Sequence, residues 1–314
     1  MAVHEAPPPA IRRVARGTPE YPRGLDDLPD PPAFLYVEGA WSAGPAVALV
    51  GSRAASPYGL AQARRLAGDL ASHGVVVVSG LARGIDAAAH EGALERQGTT
   101  VAVLPGGLDA VTPRHHADLA RRVARRGALV SECASGEPRW RGAFVTRNRL
   151  IAALADATVV VEAAETSGAL STAAAARRLG RALLAVPGDV DRATSAGTLA
   201  LLRSGAEVCG SAADVLAALE RARGVARPRR AGPRPASATN LGARPASAPI
   251  AGARPASAEA RLAAVLGARP ATLDQLVAAS GLGAAEALAA LLHLEWSGVA
   301  RALPGQRWVR AGAA

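Results

Sequence analysis

Between residues 46 and 186, short apolar runs alternate with stretches of helical period. The runs are Ala46–Val50, Val75–Ser79, Thr100–Leu104, Ala128–Ser131, Thr158–Glu162 and Ala182–Val186. They are apolar on both faces, so neither face is built to meet water. Between them, Leu60–Ser72, Ile85–Gln97 and Ala117–Arg125 repeat apolar positions at helical spacing. Apolar strands alternating with helices predict a mostly parallel sheet covered on both sides, a Rossmann-like doubly wound α/β fold. Ligands of such sheets bind outside the carboxyl ends of the strands.

The pattern changes near the end of the chain. Arg261–Leu266, Leu273–Ser280 and Ala284–Ser297 predict three helices, the second opened by a Thr272–Gln275 capping box. Two apolar runs around Pro304-Gly305 then predict a hairpin, so residues 259–314 read as a small winged-helix domain. Residues 221–258 show neither period. They repeat G-x-R-P-A-S-A from Gly232, Gly242 and Gly252, with no bulky apolar residue in any unit. Such a stretch buries too little surface to offset the entropy of ordering, and we expect a disordered linker. The chain thus divides into a disordered tail over 1–19, an α/β domain over 20–220, the linker, and the winged helix.

Charge sharpens this division. The 314 residues carry a net +10, which by itself hints at a polyanionic partner. Every basic side chain is arginine, which points to a bias in residue usage. Of the +10, the linker holds +8, with eight arginines and no acid, whereas residues 47–220 hold only +3. The linker is a solvated spacer or a weak, sequence-blind phosphate tether. No apolar run reaches the ~18 residues of a membrane span. The first sixteen residues lack a signal-peptide core, so a cytoplasmic protein is expected. Cys133 and Cys209 alone make neither a disulfide scaffold nor a zinc site.

The candidate chemistry sits just after the strands. The loops are Gly51-Ser52-Arg53, Ser79-Gly80-Leu81-Ala82-Arg83-Gly84 before a helix, Pro105-Gly106-Gly107-Leu108-Asp109, Thr166-Ser167-Gly168 and Pro187-Gly188-Asp189. Glycine lets backbone approach a phosphate, and free N–H groups at helix starts favour anions. Walker, G-x-G-x-x-G and G-x-S-x-G motifs are absent, as is metal-ligand spacing, so no cofactor or metal is expected. Asp86 and His90 lie one helical turn apart; they form an acid–base pair or cap and pack their helix. His115 and His116 are expected to be exposed. The segment Glu137–Arg149 sets Arg139, Arg141, Arg147 and Arg149 around Trp140 and Phe144, with Asn148 between the last two arginines. Cations beside an aromatic are the two parts of a single-strand site, unless Phe144 only anchors the segment in the core.

Together these residues resemble the DprA/Smf family (DNA processing protein A). The resemblance covers roughly residues 20–215. It is carried by YPRGLDDLPDPPAFLYVEG at 21–39, VGSR at 50–53, SGLARGIDAAAH at 79–90, GLD at 107–109, SE at 131–132, FVTRNR at 144–149, VVVEAAETSGALSTA at 159–173 and AVPGDVD at 185–191. It implies an extended Rossmann domain that binds single-stranded DNA without sequence preference and dimerises. It also implies loading of RecA onto that DNA during natural transformation, helping displace single-strand-binding protein, with no enzymatic step. By the resemblance Arg53 holds a phosphate, Arg141 is the basic position before the aromatic, and Phe144 stacks on a base. The full DNA-binding set is then Gly51, Ser52, Arg53, Gly80, Arg83, Gly84, Arg141, Phe144, Arg147, Asn148, Ser167 and Gly168. Ala143 and Val145 replace the family's Asn and Pro around the aromatic, and the third loop runs through Val111-Thr112-Pro113 in place of Tyr-Pro.

Two other classes of protein share parts of this pattern. A phosphoribohydrolase-like nucleotide-processing enzyme would carry P-G-G-x-G-T-x-x-E, but Pro105-Gly106-Gly107 is followed by Leu108-Asp109. A winged-helix duplex regulator would need cations on its recognition helix, and residues 273–297 hold no arginine or lysine.

Overall fold

The computed structural model describes residues 9–41, 44–137, 142–224, 258–267, 269–296, 299–303 and 307–311. The chain forms two compact units, Met1–Pro228 and Arg229–Ala314.

The first unit is built on a nine-stranded sheet. Its strands are β1 (Arg12–Ala15), β2 (Phe34–Gly39), β3 (Ala46–Val50), β4 (Val76–Ser79), β5 (Thr100–Val103), β6 (Ala128–Ser131), β7 (Ala157–Val160), β8 (Ala182–Ala185) and β9 (Glu207–Val208). Their order is β1-β2-β6-β5-β4-β3-β7-β8-β9. From β6 to β9 every pairing is parallel; β2 joins β6 antiparallel and β1 joins β2 antiparallel. The helices are α1 (Pro57–Ser72), α2 (Ile85–Glu95), α3 (Ala117–Arg126), α4 (Ala143–Leu154), α5 (Ala169–Arg178), α6 (Ala196–Arg203) and α7 (Ala212–Gly224). Val47, Leu49, Val77 and Val159 pack on one side with Leu66, Leu70 and Ile85, while Ala48, Val50, Val78 and Val160 pack on the other with Leu150, Ile151 and Leu170. This is the two-sided burial that the continuous apolar runs demand.

The predicted inner strands appear within a residue of their expected bounds, except that β7 ends at Val160, two residues before the predicted Glu162. The outer ones were not predicted. The tail expected to be disordered over 1–19 enters the sheet as β1, with Val14 buried and Arg12, Arg13 and Ala15 outside. One buried residue in four is too short a pattern to announce a strand, and pairing with β2 supplies the stability. The predicted linker is also trimmed at its ends, by α7 to Gly224 and by a helix from Ala258; residues 225–257 lie outside the described residues.

Caps match the sequence. Ser56 Oγ accepts from Gly59 N at 3.1 Å, and Pro57 fills the first turn of α1. In the second unit, α8 (Ala258–Val265), α9 (Leu273–Ser280) and α10 (Ala284–Trp296) stand with β10 (Ala271–Thr272), β11 (Ala300–Leu303) and β12 (Arg307–Arg310), a three-stranded winged-helix sheet. The predicted capping box closes α9: Thr272 Oγ1 accepts from Gln275 N, and Gln275 Oε1 accepts from Thr272 N. Among the described residues no helix is long and apolar enough to cross a membrane.

Candidate nucleic-acid interface

The strand order reverses at β3, which has β4 on one side and β7 on the other. Connections leave a doubly wound sheet in opposite directions at such a point, and a crevice opens at the strand ends. The loops after β3, β4 and β7 meet there. Ser52 N donates to Glu162 O at 2.7 Å, and Ile85 N donates to Ser52 O at 3.2 Å. Gly84 has φ +78°, and a Cβ there would lie 2.2 Å from Ser52 O. Glycine is therefore what lets the two loops interlock. Gly51 is packed as closely, against Ile85 and Glu162 O.

Above this base, Arg53 is exposed and Phe144 half-buried. The Arg53 guanidinium carbon lies 4.6 Å from the centroid of the Phe144 ring, a cation–π contact. Phe144 stands in the first turn of α4 and is neither fully anchored in the core nor free of it. Arg83 is exposed on the next loop. Predicted Arg141, with neighbouring Arg139 and Trp140, lies outside the described residues.

Arg147 departs from the expected role of a phosphate contact. It is 3% exposed. Nη1 donates to Gly80 O at 2.8 Å and also to Val103 O. A Cβ on Gly80 would sit 2.5 Å from Nη2, so this glycine serves the arginine packed against it. Burial pulls the Arg147 pKa down to about 10, opposed by the Asp86 charge and assisted by Arg53. It remains a cation at neutral pH. One helical turn after Phe144, it fixes α4 to the ends of β4 and β5. Asn148 also turns inward: Nδ2 donates to Ser171 Oγ at 2.8 Å and Gly168 O at 3.2 Å, holding the start of α5. Ser167 Oγ accepts from Ala169 N at 3.4 Å. Gly168 is exposed with open space where a Cβ would stand, so nothing around it requires glycine.

Asp86 and His90 do not pair. Asp86 accepts from Ala82 N at 3.4 Å; burial raises its pKa, against the Arg147 charge, the hydrogen bonds from Ala82 and Ser79, and Arg53. His90 Nδ1 meets Thr100 Oγ1 at 2.7 Å, and burial pushes its pKa down to about 3. Both belong to the scaffold. Of the two histidines expected outside, His115 is exposed, but His116 is half-buried, with Nδ1 2.9 Å from Leu81 O. Among the described residues no group of three or more His, Cys, Asp or Glu is placed to hold a metal.

Sequence reasoning missed the organising acid. Glu162 is buried; Oε2 accepts from Ser56 Oγ at 2.5 Å and Oε1 from Ser56 N at 3.1 Å, locking the α1 cap to the end of β7. An acid at a strand end beside a capping serine was the available signal. Next to it a cavity of about 460 Å³ opens between Ser56, Tyr58, Glu162, Asp189, Arg192 and Thr198. Arg149 was expected beside the aromatic. It instead binds Glu132 at 2.7 Å and Asp30 at 3.4 Å, tying α4 to the segment before β2.

Comparison with known proteins agrees with this geometry. The family model for DNA recombination-mediator protein A matches residues 12–220, and the DprA winged-helix model matches residues 243–306. Protein Smf of Synechocystis is 36% identical over 311 residues, covering 93% of this chain and 78% of its own length. The crystal structure of DNA processing protein A from Streptococcus pneumoniae is similar with a TM-score of 0.62 and 35% identity, over 66% of this chain and 74% of that one. DNA processing protein A from Helicobacter pylori, whose structure describes a single-stranded DNA binding mode, is similar with a TM-score of 0.59 and 32% identity, over 64% and 93%. The match of both domain models, in order along the chain, and the 36% identity to a relative over 93% of it place this chain in the DNA recombination-mediator protein A (DprA/Smf) family.

Proposed function

We propose that this protein binds single-stranded DNA without sequence preference at the strand-end crevice, and that it hands the bound strand to RecA, displacing single-strand-binding protein, as a homodimer in recombination or natural transformation. The role is non-catalytic and cytoplasmic. The observation that carries the reading is the exposed Arg53 guanidinium lying on the half-buried Phe144 ring. A cation for a phosphate and a ring for a base are held together there. A single strand exposes both groups at once, whereas a duplex stacks its bases out of reach. The single-stranded DNA binding of the Helicobacter pylori relative supports it.

In this reading Arg53 turns from the ring to a phosphate as a base takes its place. Arg83 and Arg141 supply further charge, and Gly51, Ser52, Gly80, Gly84, Ser167 and Gly168 shape the floor. Arg147 and Asn148 act beneath that floor, as positioning residues. The test is filter binding at fixed salt. Arg53→Ala and Phe144→Ala should each weaken binding to a homopolymeric single strand, the latter by about 1–3 kcal/mol for the lost stack. Unchanged affinity in both variants would end this reading. RecA filament growth on strands coated with single-strand-binding protein should accelerate on adding the wild-type chain and not on adding Phe144→Ala.

A further inference from the structure

Residues 114–126 carry five arginines and one acid, Asp118, a net +4. The surrounding domain over 47–220 totals +3, so the rest of it is slightly acidic. A net +4 therefore sits on one short piece of surface of a domain that is otherwise close to neutral, the turn Arg114–His116 and α3. Leu119, Ala120, Val123 and Ala124 bury one side of α3. Arg121, Arg122, Arg125 and Arg126 stand exposed on the other, and Arg114 is exposed just before it. Arg121 pairs with Asp118 at 3.2 Å, whereas Arg114, Arg122 and Arg126 have no ion-pair partner among the described residues.

An ordinary solvated helix intersperses both signs. The neighbouring pair α1 and α2 does so: Arg64 of α1 meets Glu91 and Glu95 of α2, and Arg65 meets Asp69. Favourable interaction with the helix dipole accounts for arginines in the last turn of α3 only. It leaves Arg114 and Arg122 unexplained.

The position of α3 gives the charge a use. His116 Nδ1 lies 2.9 Å from Leu81 O, and Leu81 packs in one cluster with Leu119 and Val123. The basic helix thus hangs from the same loop that carries Gly80, Arg83 and Gly84. It runs from the carboxyl end of β5 back to the start of β6, about 15 Å at ~1.5 Å per residue. Arg122 and Arg126 lie one above the other, four residues apart.

Resting on the single-strand reading above, we propose that the exposed face of α3, with Arg114, is a phosphate track. It carries the backbone of the same strand away from the Arg53–Phe144 crevice and down the flank of the domain. It has no exposed aromatic on α3 to stack a base, so it contributes charge and no base contact. It lengthens the site without adding sequence preference.

The test uses the full chain and two oligothymidylates, of about 6 and about 30 nucleotides, spanning the site sizes of single-strand binders. Affinity is read by fluorescence anisotropy over a salt series for wild type, Arg114→Gln/Arg122→Gln/Arg126→Gln, and Phe144→Ala. Each phosphate contact on a single strand adds about 0.7 to the slope of log K against log salt, so loss of three lowers it by about 2. The triple variant should lose that slope on the long strand and keep wild-type binding of the short one. Phe144→Ala should weaken both lengths with the slope retained. A wild-type slope on the long strand, or an equal loss on both lengths, overturns the track. If Phe144→Ala binds normally while the triple variant loses slope, the crevice reading fails and the track stands. Binding of poly-glutamate that depends on the three arginines, with an unchanged DNA slope, would assign the face to an acidic protein partner instead.

Discussion

The two units of this chain each have a fold that elsewhere binds nucleic acid, and they are equipped very differently. The α/β unit places Arg53, Arg83 and Phe144 at the carboxyl edge of its sheet, over a base that buries Asp86, His90, Arg147 and Glu162. The winged-helix unit offers Glu286, Leu288 and Leu292 on α10, the helix that in DNA-binding relatives of the fold lies in the major groove. Its buried core is leucine, alanine, Val309 and Trp308, with Ser280 as the buried polar residue among those described. Binding belongs to the groups a surface presents, and the fold only offers the surface. The contrast also has a stability side. Fixing an arginine and an aromatic at a strand edge required buried polar groups beneath them, and those groups make the first unit sensitive to changes the second should ignore.

The largest effect should follow removal of Arg147. Arg147→Ala leaves Gly80 O and Val103 O without this donor and takes from Asp86 the larger of its two compensating charges, Arg147 over Arg53. Loss of such charged hydrogen bonds should cost about 3 kcal/mol or more of domain stability, read by equilibrium urea unfolding. Single-strand binding should fall with it, since α4 carries Phe144. A stable variant with normal binding would show that the floor does not position the ring.

Acid comes next. His90 has a folded pKa of about 3, against 6.5 unperturbed. Between those values the unfolded chain binds more protons than the folded one, so stability is complete above about 6.5 and falls as pH drops. From pH 6.5 to 5 the loss should approach 2 kcal/mol, at ~1.4 kcal/mol per unit. His90→Gln, which keeps a partner for Thr100, should flatten that slope in urea titrations of the first unit. The described core of the second unit buries no histidine and should keep its stability over the same range. An equal acid response in both units would remove His90 as the cause.

A finer test separates the ring from the charge. On an abasic strand there is nothing to stack, so Phe144→Ala should bind it as wild type does, while losing about 1–3 kcal/mol on an intact strand. Arg53→Ala should lose affinity for both. Equal losses on both strands for Phe144→Ala would mean the ring matters only as a support for Arg53.

Much of this was legible because the inner strands advertise themselves. AVALV or VVVVS has no polar face, so strand type, parallel pairing and strand-end loops follow from a few residues. The outer strands were hidden for the same reason: Val14 is the single buried residue of β1, and β9 is two exposed residues, Glu207 and Val208, held by pairing with β8. At the site, residue type pointed to Arg53 and Phe144, but direction was invisible. Arg147, Asn148 and Arg149 are adjacent polar residues on one helix. The fold sends the first under Gly80, the second to α5 and the third to Glu132 and Asp30. No periodicity distinguishes those fates, because each is decided by a carbonyl or carboxylate from a distant strand or loop. The charge of α3 was equally visible as composition, and gained meaning only once Leu81 tied that helix to the crevice.

The smallest effect should come from the winged helix. α10 exposes Glu286 and carries no arginine or lysine, so it has a carboxylate and no cation to offer phosphates and no donor fork for guanine. Leu288 and Leu292, about two-fifths exposed and four residues apart, lie on one side of the helix and fit a protein surface better than a groove edge. Removing residues 259–314 should therefore leave single-strand affinity unchanged, and the isolated fragment should not retain duplex DNA at moderate salt. Leu288→Ser with Leu292→Ser should be silent in both DNA assays. The same variant should lower RecA filament growth if the second unit works through protein contacts. A fragment that does hold duplex DNA would do so through arginines outside α10, three of which, Arg301, Arg307 and Arg310, lie on β11 and β12, and the unit's binding face would move away from α10.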